Sequence, residues 1–508
     1  MPGQYDVAII GAGVGGLLTG NYLARRGFKT VLLEQHVRPG GCVCGFARQG
    51  FYFDGGDQSF GSSGIVFPIL KELGLLPQLK FMRADYRWVT PWADFKVDSL
   101  AQVKRAVAEA FPDSAAELDA YFAELEILAQ GVLSWMERPN PLLLTGAARL
   151  WGFARMLLTQ PTVMRRMTEA LQTPGLELAR RHLSNPLLSD FFGRFGYRGS
   201  SAASTAGAWA TWIYDYWYPM GGLQGFVDLL ARSYVEHGAE LRLRTRVVRV
   251  EVEGARAAGV TTAGGETIPA RFVVSAGDYR RLVQELLPEG TVPPEHAAET
   301  AQSPVSDAIF SVFLGLDLPP AVLRQHLQTH HVFVQPRAVP LPEGERDRNW
   351  HASRWVEISS PTLTDPTLAP EGCSSVILQV MSSYQWMDRW GTGPHGERTA
   401  EYRALKEHVA RQVMYTAEQV IPALTEHIVI REAATPLTHE RYTLNSEGAT
   451  AGWTWDPRLT PIKSPAGRYT TPVPGLFQAG HWTYRIGGVP SAALSARLVA
   501  DLITREAR

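Results

Sequence analysis

A chain of 508 residues, 45% hydrophobic and 19% charged, is too long for one ordinary core, so two or more lobes are expected. Its formal net charge of −1 argues against a nucleic-acid-binding surface spread over the whole molecule. Three cysteines exclude a disulfide framework and fit a reducing compartment; Cys42 and Cys44 have neither the spacing of a redox pair nor a matching pair for zinc.

The chain opens on an apolar strand, Asp6-Val-Ala-Ile-Ile, which feeds the turn Gly11-Ala-Gly13-Val-Gly-Gly16 and then a helix. Gly11 permits the tight turn, Gly13 lets backbone approach a pyrophosphate, and Gly16 lets the helix pack closely on the sheet. The helix start offers free N–H groups and a positive dipole end to phosphate. A second apolar strand ends in Glu34, about 20 residues on, where a carboxylate accepts hydrogen bonds from a ribose diol. Strand, glycine triplet, helix and acid in this order point to a dinucleotide site and leave open which dinucleotide. The direct entry into the first strand gives no signal-peptide pattern, and no apolar run reaches the ~20 residues of a membrane-spanning helix. The expected location is the cytoplasm, with attachment to one face of a membrane as the alternative.

Glycine-rich turns follow, including Gly50-Phe-Tyr-Phe-Asp54-Gly-Gly-Asp57. From about residue 101 to 180 the pattern is helical, with Val103, Ala106, Val107, Ala110 and Phe111 on one face. Pro112-Asp113-Ser114 caps a second amphipathic helix carrying Leu118, Tyr121, Phe122, Leu125 and Leu128. Residues 141–182 combine Leu150, Trp151, Phe153, Leu157 and Leu158 with Arg149, Arg155, Arg165, Arg166, Arg180 and Arg181, against Glu169 and Glu177. Such a stretch is suited to a membrane interface, or to a helical lid with its arginines in water. Pro219-Met-Gly221-Gly222-Leu-Gln-Gly225 opens a helix from Phe226 to His237, and a strand pair runs from Glu240 to Val252 and from Ala255 to Thr262. Phe272-Val-Val-Ser275 is a buried strand, and residues 306–316 and 375–382 read as long strands of a second sheet. His330 and His331 alternate on a strand with no matching ligands nearby, so no metal is expected. The chain closes with Gly475-Leu-Phe-Gln-Ala-Gly480, a glycine turn, and a helix from about Pro490.

There is one dinucleotide fingerprint and no second one, because Gly221-Gly222 follows Tyr-Pro-Met rather than an apolar strand. The choice between NAD and FAD is tipped to FAD by Gly480 and Gly487-Gly488-Val489 ahead of the last helix. A helix N-terminus there stabilises negative charge on a reduced isoalloxazine by on the order of 1 kcal/mol. His481, Trp482 and Thr483 sit between that strand end and helix and are expected beside the flavin ring, with His481 orienting it or moving a proton.

These motifs resemble the flavin amine oxidase and phytoene desaturase superfamily, most closely its carotenoid desaturase, carotenoid isomerase and retinol saturase branch. The resemblance covers nearly the whole chain. It is carried by Gly11 to Gly16 with Glu34, by Pro39-Gly40-Gly41, by Phe53-Asp54-Gly55-Gly56 and by Pro219-Met-Gly-Gly-Leu. Further carriers are Thr435-Pro-Leu-Thr-His-Glu440-Arg441-Tyr442 with Asn445-Ser-Glu-Gly448, and Pro474-Gly-Leu-Phe-Gln-Ala-Gly480-His-Trp-Thr with Gly487-Gly488-Val489-Pro490. Cys42 and Ser275-Ala-Gly-Asp278 depart from the pattern of many desaturases. The resemblance implies an FAD set of Gly11, Gly13, Gly16, Glu34, Gly40, Gly41, Asp54, Val247, Gly480, Gly488 and Val489. It places Glu440 and Arg441 near the substrate as an acid/base or a charge, beside His481 and Trp482.

The implied fold is α/β, a Rossmann-like FAD-binding domain of the glutathione-reductase-2 type with an inserted α+β substrate domain. Residues 1–100, 219–290 and 435–508 form the discontinuous FAD domain. Residues 291–434 with part of 101–218 form the substrate domain, and 101–218 is mainly a helical lid or membrane-facing region. The implied function is an FAD-dependent oxidoreductase acting on a long apolar polyene or isoprenoid. Desaturation by hydride transfer to flavin N5, with a quinone or oxygen as electron acceptor, is the leading form. A carotenoid cis-trans isomerase or retinol-type saturase is the alternative. A flavin amine oxidase, with Trp453 and Trp455 or Trp482 as an aromatic cage, and a non-enzymatic prenyl-protein chaperone remain as other readings.

Overall fold

The computed structural model describes residues 4–136, 140–194, 196–336, 344–459, 469–483 and 487–508. Strand β1 (Tyr5–Ile10) leads through the glycine turn into helix α1 (Val14–Arg25) and strand β2 (Thr30–Leu33). β1 pairs in parallel with β2 on one side and with Thr267–Ser275 on the other, and that strand pairs in parallel with Leu476–Gln478. Ile10, Leu33, Ser275 and Gln478 therefore end at one edge of the sheet. Ligands of open α/β sheets bind outside the carboxyl ends of the strands. The strands are apolar at successive positions because both faces are covered. Val7, Ile9, Leu32, Phe272 and Val274 pack under α1 and the helices Gly222–Glu236 and Val489–Glu506, whereas Ala8, Val31, Leu33 and Val273 face the opposite core.

The strand read from Glu240 to Val252 is broken in the structure into Glu240–Arg242 and Val247–Glu253. The break is a strap: Arg244, at φ +53°, donates its backbone N–H to the His36 carbonyl, and Thr245 donates to that of Glu34. Glu240–Arg242 extends the parallel sheet beside β2, while Val247–Glu253 turns into an antiparallel hairpin with Arg256–Thr262.

A second sheet runs in the order Ile428–Ala434, Ala308–Leu316, Ser374–Ser382, Val356–Ser359, His331–Val334, Tyr86–Val89, Asp94–Lys96. Tyr86–Val89 and Asp94–Lys96 lie within the 1–100 segment, yet they hydrogen-bond in this sheet. All nine residues of Ala308–Leu316 are buried, between the helix Ala400–Ala417 and the other side of the sheet. The helical block predicted from 101 is present: Leu100–Ala110 is capped by Ser99, whose side chain accepts from the Gln102 N–H, and Ala115–Met136 follows the short turn Pro112–Ser114. Tyr121, Phe122, Leu125 and Leu128 bury against Phe191, Phe192 and Trp209, and this cluster reaches Trp88 of the second sheet.

Asp54, at the end of strand Phe51–Asp54, ties that strand to Tyr216–Pro219 and to the helix Gly222–Glu236. Its carboxyl, fully buried, accepts from Tyr52 Oη (2.6 Å), Tyr218 Oη (2.7 Å) and the Leu223 N–H (3.0 Å). Burial pushes its carboxyl up to about 6 against the opposing pull of those donors. Replacing Asp54 by Ala strands two phenols and one amide, each costing about 1–3 kcal/mol. Urea unfolding of Asp54→Ala is expected to show a loss of about 3 kcal/mol or more.

Candidate functional site

The carboxyl edge of the parallel sheet opens on one continuous cavity of about 2000 Å³. Ordinary ligand pockets reach about 1000 Å³, so this one has room for a large cofactor and a second long ligand. At one end lies a glycine cradle. Gly11, at φ +96°, turns the chain out of β1, and a Cβ on Gly16 would stand 2.0 Å from the Gly11 carbonyl oxygen. A Cβ on Gly15 would stand 2.6 Å from Gly480 Cα, so the turns from the two ends of the chain touch through backbone. Gly13 is different: nothing lies within 4 Å of its missing Cβ, and it lines the cavity. The Gly13–Gly40 bridge sets the second glycine pair, Gly40 and Gly41 (φ +141° and +58°), beside the start of α1.

Glu34 is pinned at the tip of β2: one carboxylate oxygen accepts from the Ala12 N–H (2.8 Å) and the other from the His36 N–H (2.9 Å). A carboxylate has about four lone-pair sites, so capacity is left for a ribose diol. At the other end of the cradle, Gly488 stands at the N-cap of Val489–Glu506 with no side-chain cap, and Gly487 to Ala492 line the cavity. An acid for the ribose, bare backbone beside two helix N-termini for the phosphates and a long cavity beyond them fit a flavin dinucleotide.

Of the residues singled out in the sequence, Gly11, Gly13, Glu34, Gly40, Gly41, Val247, Gly480, His481, Gly488 and Val489 line this cavity. The strap over Glu34 is what brings Val247 there. Gly16 and Asp54 stand behind the wall, as close-packing and bracing residues. Trp482 is buried behind it too: its indole N–H donates to Asn445 Oδ1, and its carbonyl accepts from Trp453. Glu440 is not on the cavity wall: its carboxylate accepts from Arg281 Nη2 (3.1 Å) and Tyr384 Oη (2.5 Å), and Arg441 lies over the Tyr442 ring. Of Trp453, Trp455 and Trp482, only Trp455 is on the cavity. Among the described residues no group of three His, Cys, Asp or Glu is placed to hold a metal.

The far wall is the second sheet. Its register puts Trp88, Phe333, Glu357, Gln379, Ser311 and Ala434 in one row across five strand pairings, and all but Ser311 line the cavity. Tyr86, Trp212, Tyr216 and Trp355 extend the aromatic wall, and Leu142, Met164, Met167 and Leu171 close it from the helical block. Burial shifts several ionisable groups here toward their neutral forms. It pushes Glu357 and Asp57 up to about 7, lowers His439 and His481 to about 4, and raises the Cys42 and Cys44 thiols to about 12 and 11. Glu357 and Asp57 were not singled out in the sequence. Asp57 closes the turn chosen for Asp54, and Glu357 is the one charged residue in Trp355-Val-Glu-Ile-Ser, a weak signal until the strand's neighbours are known.

A two-ended glycine cradle at one end of a long cavity with an aromatic far wall fits a flavin-dinucleotide oxidoreductase. The chain belongs to the flavin-containing amine oxidoreductase family, whose model matches residues 14–504. It is a flavin-dependent enzyme, and its cofactor is FAD. Among similar proteins, the all-trans-retinol 13,14-reductase of Danio rerio is 24% identical over 94% of this chain and 83% of its own. The chloroplastic prolycopene isomerase of Daucus carota is 25% identical over 98% and 80%, and the 4,4'-diapolycopene oxygenase of a Methylomonas species is 25% identical over 98% of both. These relatives place the chain in the carotenoid desaturase and isomerase branch. The same fold is seen in a putrescine oxidase redesigned in its cofactor binding (TM-score 0.65, 15% identity, 99% of both chains) and in an oxidoreductase from Methanosarcina mazei (0.63, 15%, 97% and 99%).

The two kinds of glycine in the cradle separate folding from cofactor binding. Gly13→Ala, at φ −75°, is expected to change apoprotein stability by about 1 kcal/mol or less and to lose FAD on gel filtration. Gly16→Ala drives a methyl into backbone and is expected to cost about 3 kcal/mol in thermal or urea unfolding.

Proposed function

We propose that this flavoprotein acts on a long apolar polyene or isoprenoid, with desaturation as the leading reaction. The observation that carries the reading is the single cavity of about 2000 Å³ that runs from the cofactor cradle to the wall of Trp88, Phe333, Trp212 and Met167. The similarity to enzymes named for retinol, prolycopene and diapolycopene supports it. Gly11, Gly13, Glu34, Gly40, Gly41, Val247, Gly480, Gly488 and Val489 hold FAD, which supplies a two-electron hydride acceptor. The chain's own residues orient the polyene against it and exclude water from the reacting carbons. His481, neutral because burial lowers it to about 4, packs at the flavin end as a hydrogen-bonding group rather than a cation. A quinone or oxygen returns the flavin to its oxidised form. A prolycopene-type isomerase or a retinol-type saturase uses the same cavity, and is the second reading because relatives of both kinds match the chain over 94% or more of its length. The amine oxidase reading is weakened by Trp453 and Trp482, which lie behind the wall.

The protein is proposed to be cytoplasmic and to dock on the inner face of a membrane. Helices Gly146–Thr159 and Pro161–Gln172 expose Leu150 (74%), Trp151 (65%), Leu157 (58%) and Leu158 (74%) beside the exposed Arg155 and Arg165, while Met164, Met167 and Leu171 of the same pair reach the cavity. An apolar patch ringed by arginines suits an anionic bilayer and lets a lipid-soluble substrate enter without crossing water. No helix among the described residues is long and apolar enough to cross a membrane.

Two measurements test the reading. Anaerobic incubation with carotene precursors is expected to bleach the flavin absorbance as new double bonds form. Geometry change with no net electron turnover points to isomerisation, and no response to any polyene removes the reading. The wild-type protein is expected to pellet with phosphatidylglycerol vesicles, and a variant with Leu150, Trp151, Leu157 and Leu158 changed to Ser is expected to stay in the supernatant.

A further inference from the structure

We propose that the cavity takes a polyene or isoprenoid that carries a carboxylate at one end, and that Arg354 anchors this carboxylate at a solvent-facing mouth. The inference deepens the polyene reading and rests on it. The mouth is marked by Arg180, Arg194, Arg198 and Arg458, whose side chains are more than half exposed and yet line the cavity. Each of the four already holds a carboxylate. Arg180 and Arg194 share Asp190 (3.6 and 3.0 Å), Arg198 bridges Asp307 and Glu345 (3.3 and 3.4 Å), and Arg458 Nε donates to Asp456 Oδ1 (2.9 Å).

Arg354 is the fifth arginine of this group and differs from the rest. It is partly buried and lines the cavity. Among the described residues its guanidinium makes no hydrogen bond or ion pair, and its Nε is buried with no acceptor. The guanidinium carbon stands 3.9 Å from the Trp350 ring centroid, so one face is covered and the plane is held. The charges that act on it are Arg198 and Arg194 against Asp307 and Glu345, and Arg198 already engages both acids. A partly buried cation with unmade hydrogen bonds is costly, and an anion entering the cavity relieves that cost.

The planar fork of one guanidinium matches one carboxylate. A diphosphate brings more charge than one guanidinium neutralises, and the four neighbouring arginines are taken. The aromatic wall leads to this place: Phe333 lies 4.8 Å from Trp88, and Trp88 lies 4.7 Å from Trp355, the residue after Arg354. Such a wall grips every carbon of a polyene alike, so a pure hydrocarbon is free to slide along it. One ion pair at the terminus fixes which bond meets the flavin.

The test uses the FAD-loaded protein and reads binding by equilibrium dialysis at pH 8, with retinoic acid, retinol and palmitic acid as probes. The wild type is expected to bind retinoate about 10-fold or more tightly than retinol. Arg354→Gln is expected to weaken retinoate by about 10- to 100-fold and to leave retinol and the flavin spectrum unchanged. Arg354→Lys, which keeps the charge and loses the fork, is expected to fall between them. Equal binding of acid and alcohol by the wild type overturns the inference, as does an Arg354→Gln protein that keeps the preference for the acid; both leave the polyene reading standing. Palmitate bound as tightly as retinoate overturns the polyene as the source of the carboxylate. Arg354→Gln is also expected to pellet with phosphatidylglycerol vesicles as the wild type does, and a loss of pelleting assigns Arg354 to the bilayer and overturns the inference. A wild type that binds neither retinoid removes the polyene reading and this inference with it.

Discussion

The structure depends on a contact between two glycine turns that lie far apart in the chain. Gly15, in the first turn of the first helix, meets Gly480 so closely that a single methyl on it would collide with backbone. Backbone-to-backbone packing of this kind is available here because Gly15 has no Cβ. It draws the C-terminal helix against α1 and aims both helix N-termini into one cavity. A charge-binding device of two converging dipoles results from the removal of side chains rather than from the addition of charged ones.

The remaining architecture builds a wall opposite that device. The second sheet, antiparallel except where His331–Val334 meets Tyr86–Val89, presents one buried face to Ala400–Ala417 and the other to the cavity, so alternate residues divide between core and site. Aromatic and methionine side chains bury much of the wall, and burial shifts the protonation of several polar groups in it. Imidazoles shed their charge, thiols keep their protons, and Glu357 and Asp57 move toward neutrality. A flavin takes or gives electrons in pairs as hydride, and an apolar polyene carries no ionisable group. A wall of aromatic and methionine side chains suits that combination.

Much of this was legible in the residues. The cradle follows from local rules: Gly11 needs a positive φ, Gly16 needs to be small, and Glu34 needs to end a strand, whatever surrounds them. The long strands of the second sheet and the helical block showed as apolar periodicity, a property of each segment alone. Glu440 and Arg441 show where this stopped. They lie in a segment whose His439 and Tyr442 do line the cavity, but the two charged residues are not on its wall: Glu440 is spent on Arg281 and Tyr384, and Arg441 lies over the Tyr442 ring. Trp482 was correctly placed next to the glycine turn along the chain, yet its indole is spent on Asn445 behind the wall.

The sequence by itself determined the cofactor, because dinucleotide recognition is done by backbone at glycines whose spacing is written in consecutive residues. It determined the strongly apolar middle because apolar periodicity is a property of each segment alone. Only the tertiary structure decided which polar groups face the ligand. Glu357, Ser59 and Asp57 line one cavity although they come from separate stretches of chain, a meeting that no stretch alone foretells. The break at Arg244 was decided the same way: hydrogen bonds to Glu34 and His36, more than 200 residues earlier, outweighed a strand pattern that runs unbroken through the sequence.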